Sequence, residues 1–157
     1  MAIRLSTGLV NALAGGGAGD GSFKDIFANA VIGCYTGTQP TNADAAETGV
    51  LLGYISVASG EFTPESPTNG LNWDAAANGV LTKPAATEWS ITPIAAGTIG
   101  YMRLYDNARV LGASTAAVRM DMNCGVGSGD VRWSNTGFLV GVKNTLDSLN
   151  ITFPKNA

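Results

Sequence analysis

Apolar residues follow two rhythms along the chain. Over residues 3–14, Leu5, Leu9, Val10 and Leu13 recur at helical spacing, and Ser6 or Thr7 stands in position to cap. The spacing predicts a short amphipathic helix, weakened by Gly8. Gly15, Gly16, Gly17, Gly19 and Gly21 follow, with Asp20 among them, a composition that reads as a hinge rather than a packed element. A second short helix is predicted over 22–29. Ser22 caps it, Asp25 stands three residues on as in a capping box, and Phe23, Ile26 and Phe27 share one face.

From residue 30 the rhythm changes to that of strands. AVIGCYTG predicts a buried strand ending at Gly37, and TGTQPTNADAAETG a loop punctuated by Pro40, Asn42 and Gly49. Further strands are predicted over 50–57, 71–74, 80–83, 88–92, 98–105, 116–122, 130–134, 138–142 and 146–153. Alternation is clearest in TIGYMRLYD and LDSLNITF. About eight to ten strands at intervals of roughly 8–12 residues, with no long helix between them, predict an all-β antiparallel sandwich carrying a short N-terminal helical arm. The expected organisation is an arm and hinge over 1–21 and one β-sandwich domain over 22–157.

Composition narrows the function. The 157 residues carry 9 basic and 12 acidic side chains, a net charge of −3, and no histidine. That balance argues against nucleic-acid binding, which needs a basic face. Absence of histidine removes the commonest general base and metal ligand. Only 13% of residues are charged, against 45% hydrophobic. A surface so poor in charge suggests cover by partners, because exposed charge normally keeps a free domain in solution. Two cysteines, Cys34 and Cys124, do not make a disulfide scaffold and are expected as free, largely buried thiols. The run Leu9–Ala14 is broken by Asn11 and is too short for a membrane span or a secretory h-region. No membrane partner is expected, and the expected site of synthesis is the cytoplasm.

No constellation points to catalysis. GGGAGDGS lacks the Lys-Ser/Thr ending of a phosphate-binding loop and no strand precedes it. Glu61, Glu65, Asp74 and Glu88 lie near Trp73 and Trp89, a mixture that suits a sugar cleft; isolated turn acids around core tryptophans are the plainer reading. Trp73, Trp89 or Trp133 would be the stacking platform of a carbohydrate-binding module. Asp121, Asp130 and GVGSGD offer oxygens for Ca²⁺ but lack EF-hand spacing and read as a hairpin turn. Arg103, Arg109, Arg119 and Arg132 read as solvated strand and turn positions. No catalytic residue, cofactor or metal is expected.

The arm stands out. Docked on its own sheet it is a core element; docked on another subunit it is an assembly device. On the second reading Ile3, Leu5, Leu9, Val10 and Leu13 form an intersubunit anchor, and Phe23 and Phe27 pack beside the hinge.

IRLSTGLVNAL and GSFKDIFANAVIGCYTGTQPTNADAAETGVLL resemble the opening of small structural proteins of tailed bacteriophages, and SPTNGLNWDAAANGVLTK and ASTAAVRMDMNCGVGSGDVRWSN are similar to later parts of that group. The resemblance implies a virion component: a jelly-roll capsid decoration (cement) protein on the capsid exterior, present in the host cytoplasm during assembly. It implies the major capsid protein and the chain itself, as homodimer or homotrimer, as partners. A tail- or fibre-associated protein is the alternative within the same group.

Overall fold

The computed structural model describes residues 3–16 and 21–153. Strand β1 (Arg4–Leu5) leads into α1 (Thr7–Leu13), and α2 (Phe23–Ile26) precedes the body of the fold. The remaining strands are β2 (Val31–Thr36), β3 (Leu51–Val57), β4 (Val80–Thr82), β5 (Trp89–Ile91), β6 (Gly97–Tyr105), β7 (Arg119–Gly125), β8 (Val131–Arg132), β9 (Gly137–Phe138), β10 (Asn144–Thr145) and β11 (Asn150–Thr152). The chain is all-β with two short helices, as its alternating pattern predicts.

A large sheet runs in the order β1-β7-β6-β2-β3-β5-β10, with β9 beside β6 and β8 beside β7; β11 and β4 form a second, two-stranded sheet. Pairing is antiparallel except between β7 and β8. The middle of the large sheet is set by period-two alternation. On β6, Met102 and Leu104 face one way, while Tyr101, Arg103 and Tyr105 face the other; on β7, Met120 and Met122 share the side of Met102 and Leu104. The first face packs against Leu81 and Ile151 of the small sheet, with Ile32, Leu52, Ile55, Trp73, Trp89, Leu9, Phe23 and Phe27 in the same apolar core.

Several predicted strands are shorter than the pattern suggests. Residues 71–74 contribute one bridge, Leu71 to Ala30. Residues 138–142 contribute Phe138 alone, and 146–153 keeps Asn150–Thr152. Ala116–Met122 becomes Arg119–Gly125, because the backbone N–H groups of Ala116 and Ala117 are tied back to the Ser114 hydroxyl, which accepts from them at 3.2 and 3.1 Å.

The N-terminal segment lies on its own sheet. Arg4 pairs with Asp121 and Leu5 with Met120. Helix α1 begins after Ser6, whose hydroxyl accepts from Leu9 N at 3.1 Å. Helix α2 is capped by Ser22 in the same way, and the Ser22 hydroxyl also donates to the Asp25 carboxylate at 2.6 Å. Residues 3–14 are therefore joined to the β domain by backbone pairing and burial. Four of the predicted hinge residues, 17–20, lie outside the described residues.

Candidate interaction surface

The seven residues expected to meet a neighbour divide between inside and outside. Leu9 and Phe27 are completely buried and Phe23 is 6% exposed, all in the chain's own core. Phe23 stacks edge-on against Trp73, centroids 6.1 Å apart. Ile3, Leu5, Val10 and Leu13 are 40–48% exposed. With the arm docked, the outward stripe is thus narrower than helical spacing implies.

A larger apolar surface lies where a strand was predicted. Leu139, Val140 and Val142 are 53–63% exposed, and neighbouring Ile94 is 69% exposed. Their backbone is well held. Val142 N donates to Leu139 O at 3.1 Å, Gly141 N to Pro93 O at 2.9 Å, and Ile94 N to Leu52 O at 2.8 Å. Gly141 sits at φ +76°, which closes the turn without the strain a side chain would bring. Three aliphatic side chains therefore stand in water on a braced turn, and Ile94 stands exposed on the segment that the turn is bonded to. Scattered exposed leucines are ordinary, whereas this group is held on a fixed backbone. The unbroken apolar run FLVGV was the available signal, but Phe138 alone turns into the core.

Val110 and Leu111 form a second exposed apolar pair, 43% and 52% exposed. The loop beneath them is pinned by a polar cluster on the outer face of the large sheet. Arg103 grips Asp121 bidentately, Nε to Oδ1 at 2.6 Å and Nη2 to Oδ2 at 2.8 Å, and its Nη1 donates to Ala45 O at 2.9 Å. Glu47 accepts from Tyr105 OH at 2.8 Å, Arg103 Nη1 at 3.2 Å and Gly112 N at 3.0 Å. Arg119 donates to the carbonyls of Gly112 (2.6 Å), Ser114 (3.0 Å) and Asp44 (3.1 Å). Tyr35 and Tyr105 share a hydroxyl–hydroxyl hydrogen bond of 2.7 Å, and Tyr101 OH donates to Thr48 O at 3.0 Å. Two arginines face two carboxylates, so the cluster is charge-balanced.

Burial favours the neutral form of the Glu47 carboxyl, but hydrogen bonds from its own backbone, Tyr105 and Gly112, together with the charge of Arg103, hold it below the usual carboxylate range. Burial pushes the hydroxyls of Tyr35 and Tyr105 well above the ordinary phenol value. Burial also pushes the Asp121 carboxyl upward, opposed by the paired Arg103. Arg103 and Arg119, expected as solvated strand positions, are completely buried. The cause is the cover supplied by residues 38–49 and 106–118, which turns an outward face into a second interior. Arg109 stacks its guanidinium over Tyr54 and Phe62 at 4.9 and 5.5 Å, while Arg132 is exposed.

The remaining sequence candidates do not converge. Trp73, Trp89 and Trp133 are 0–7% exposed, so none offers a stacking face to a sugar. Glu61, Glu65, Asp74 and Glu88 lie at the exposed surface, with Glu88 paired to Lys143 at 2.8 Å. Asp121 belongs to Arg103; Asp130 accepts from Asn123 N at 3.1 Å and braces the 123–130 loop, which is not the expected hairpin turn because β7 and β8 on either side of it pair in parallel. Among the described residues, no group of three or more His, Cys, Asp or Glu is placed to hold a metal ion, and no helix is long and apolar enough to cross a membrane. Cys34 and Cys124 are both free thiols. No protein family, curated protein or solved structure matches the chain.

Proposed function

We propose that the chain is a virion structural protein of tailed-phage type, a decoration protein that binds the repeating shell of a capsid and transforms no substrate. The carrying observation is the braced apolar turn Leu139–Val142 with Ile94, a fixed, water-exposed apolar surface. Sparse charge and the sequence resemblance support the same reading, and the jelly-roll description and the virion location belong to it. Burying four such side chains contributes roughly 1.5–3 kcal/mol each before ordering costs, a modest contact that a many-fold lattice strengthens through multivalency. Val110 and Leu111 offer a second, smaller contact.

The test is copy counting by quantitative mass spectrometry on purified particles from the host that encodes the chain. The chain should be present at a number comparable to that of the shell subunit. Its absence from the particles overturns the reading, and a handful of copies per particle transfers it to the tail. Replacing Leu139 and Val140 together by Asp should lower shell occupancy by at least about tenfold, since each lost contact is worth roughly that factor.

A further inference from the structure

The N-terminal segment is held to the body by a compact set of contacts. On the edge of β7, Arg4 and Leu5 pair with Asp121 and Met120. Ser6 locks the join. Its N–H donates to Arg119 O at 3.0 Å, and its hydroxyl donates to Ala117 O at 2.7 Å and accepts from Arg119 N at 2.9 Å. Leu9 plugs into the core with no exposed surface. Gly8 lies so close to the body that a Cβ there would sit 2.4 Å from Ala116 O. Thr7 closes the set through the Asp44 carboxylate, its N–H donating at 2.7 Å and its hydroxyl at 2.6 Å.

Around these contacts α1 is poorly surrounded. An open cleft of about 280 Å³ lies between Leu13 and Phe23, Leu81 and Phe153, and another of about 290 Å³ lies between Asn11 or Ala12 and Thr115 or Val118. A segment bordered by solvent-open clefts on two sides makes fewer of the dispersion contacts that tie core elements together, and such elements open at lower cost than the domain unfolds. The sequence joining it to α2, residues 15–21, has five glycines in seven positions, which oppose a change of backbone path least.

We propose that residues 3–14 are an exchangeable arm: the slot on β7 that holds the chain's own arm also takes the arm of a second copy, so that copies link by reciprocal exchange. The second copy is the occupant because each feature of the slot is matched by this sequence: the edge pairing, the serine lock, the close passage at Gly8 and the cavity that Leu9 fills. Exchange reproduces every contact and adds no new chemistry, which makes it a low-cost route to a linked assembly. The choice between closed and exchanged forms is then set by concentration. A short tether holds the arm near its own slot at an effective concentration in about the millimolar range, so isolated copies stay closed and densely arrayed ones exchange. Exchange between copies does not depend on what other surface the chain binds.

Cross-linking of full-length chains tests it. A Thr7→Cys chain and an Asp44→Cys chain, carrying different mass tags, are mixed and treated with a short thiol–thiol cross-linker. The two positions meet only where an arm lies in a slot, so a product joining the two tags reports docking in trans. Its yield should rise at least about tenfold between micromolar and millimolar mixtures. A Thr7→Cys plus Ser134→Cys mixture measures background, including any contribution of the native thiols, and the double variant in one chain gives the closed-form signal. A mixed-tag yield no higher than background at millimolar concentration, with the double variant reacting fully, overturns the proposal. Adding Gly8→Val to the Thr7→Cys chain should abolish the mixed product, because the added side chain collides with the Ala116 and Ala117 carbonyls. Undiminished cross-linking by that variant shows contact elsewhere and equally overturns it.

Discussion

The two faces of the large sheet are both buried, by opposite means. On the inner face Met102, Leu104, Met120 and Met122 meet a second layer of apolar side chains. On the outer face Tyr101, Arg103, Tyr105, Arg119 and Asp121, from the same two strands, meet the carbonyls and one carboxylate of two loops. The inner face needs only apolar volume of suitable shape. The outer face needs each charge met by a partner at a defined position, so it specifies loop path more than it adds net stability. The lesson is that one strand can build an oily interior and position surface loops at once, with alternate residues assigned to each task.

The largest effect is expected from unbalancing the buried charges. Asp121→Ala leaves two buried arginines, Arg103 and Arg119, facing one carboxylate, Glu47, and should cost about 3–5 kcal/mol in urea denaturation, whereas the double change Arg103→Met with Asp121→Leu should be close to neutral or stabilising. A double variant as damaged as the single one would sink the distinction between the faces. Met122→Ala on the inner face should cost about 2–5 kcal/mol and leave the loops as protected as before.

Glu47→Gln should cost about 1–3 kcal/mol and act mainly on the loops. Hydrogen exchange should quicken at Gly112 and in residues 44–46 while the β6–β7 pairing stays slow. This carboxyl has a lower pKa folded than unfolded, so its contribution is fully present above the unfolded value and fades as pH falls through the folded one. The variant should therefore lose less stability on acidification than the parent. An unchanged acid limb would show that other carboxyls control it. The smallest effect belongs to the exposed Lys143–Glu88 pair: Lys143→Ala should change stability by under about 1 kcal/mol, and less still in high salt.

What could be read from the residues alone follows from where each kind of signal arises. Alternation in TIGYMRLYD revealed β6 because side-chain direction is a local property of a strand. Ser22 is legible as a cap for the same local reason, and the first cap is narrowed to Ser6 or Thr7, of which the structure uses Ser6. Burial of Arg103 and Arg119 was not, because it depends on two loops arriving from about 60 residues upstream and about ten residues along the chain. The pattern predicts a strand over 138–142 where the chain makes an apolar turn, since a run of aliphatic residues does not say which of them face inward. Whether the arm folds home or away was undecidable from its own pattern, which is amphipathic on either account.

Cys34 is buried and Cys124 half-buried, and both thiols resist ionisation. Burial raises Cys34 well above its usual value and pushes Cys124 up to about 12, so neither carries an appreciable thiolate near neutrality. With no bridge formed between them, the fold has nothing to lose to a reductant and little to offer an oxidant. It should keep the same shape in a reducing cell interior and in open, aerated surroundings.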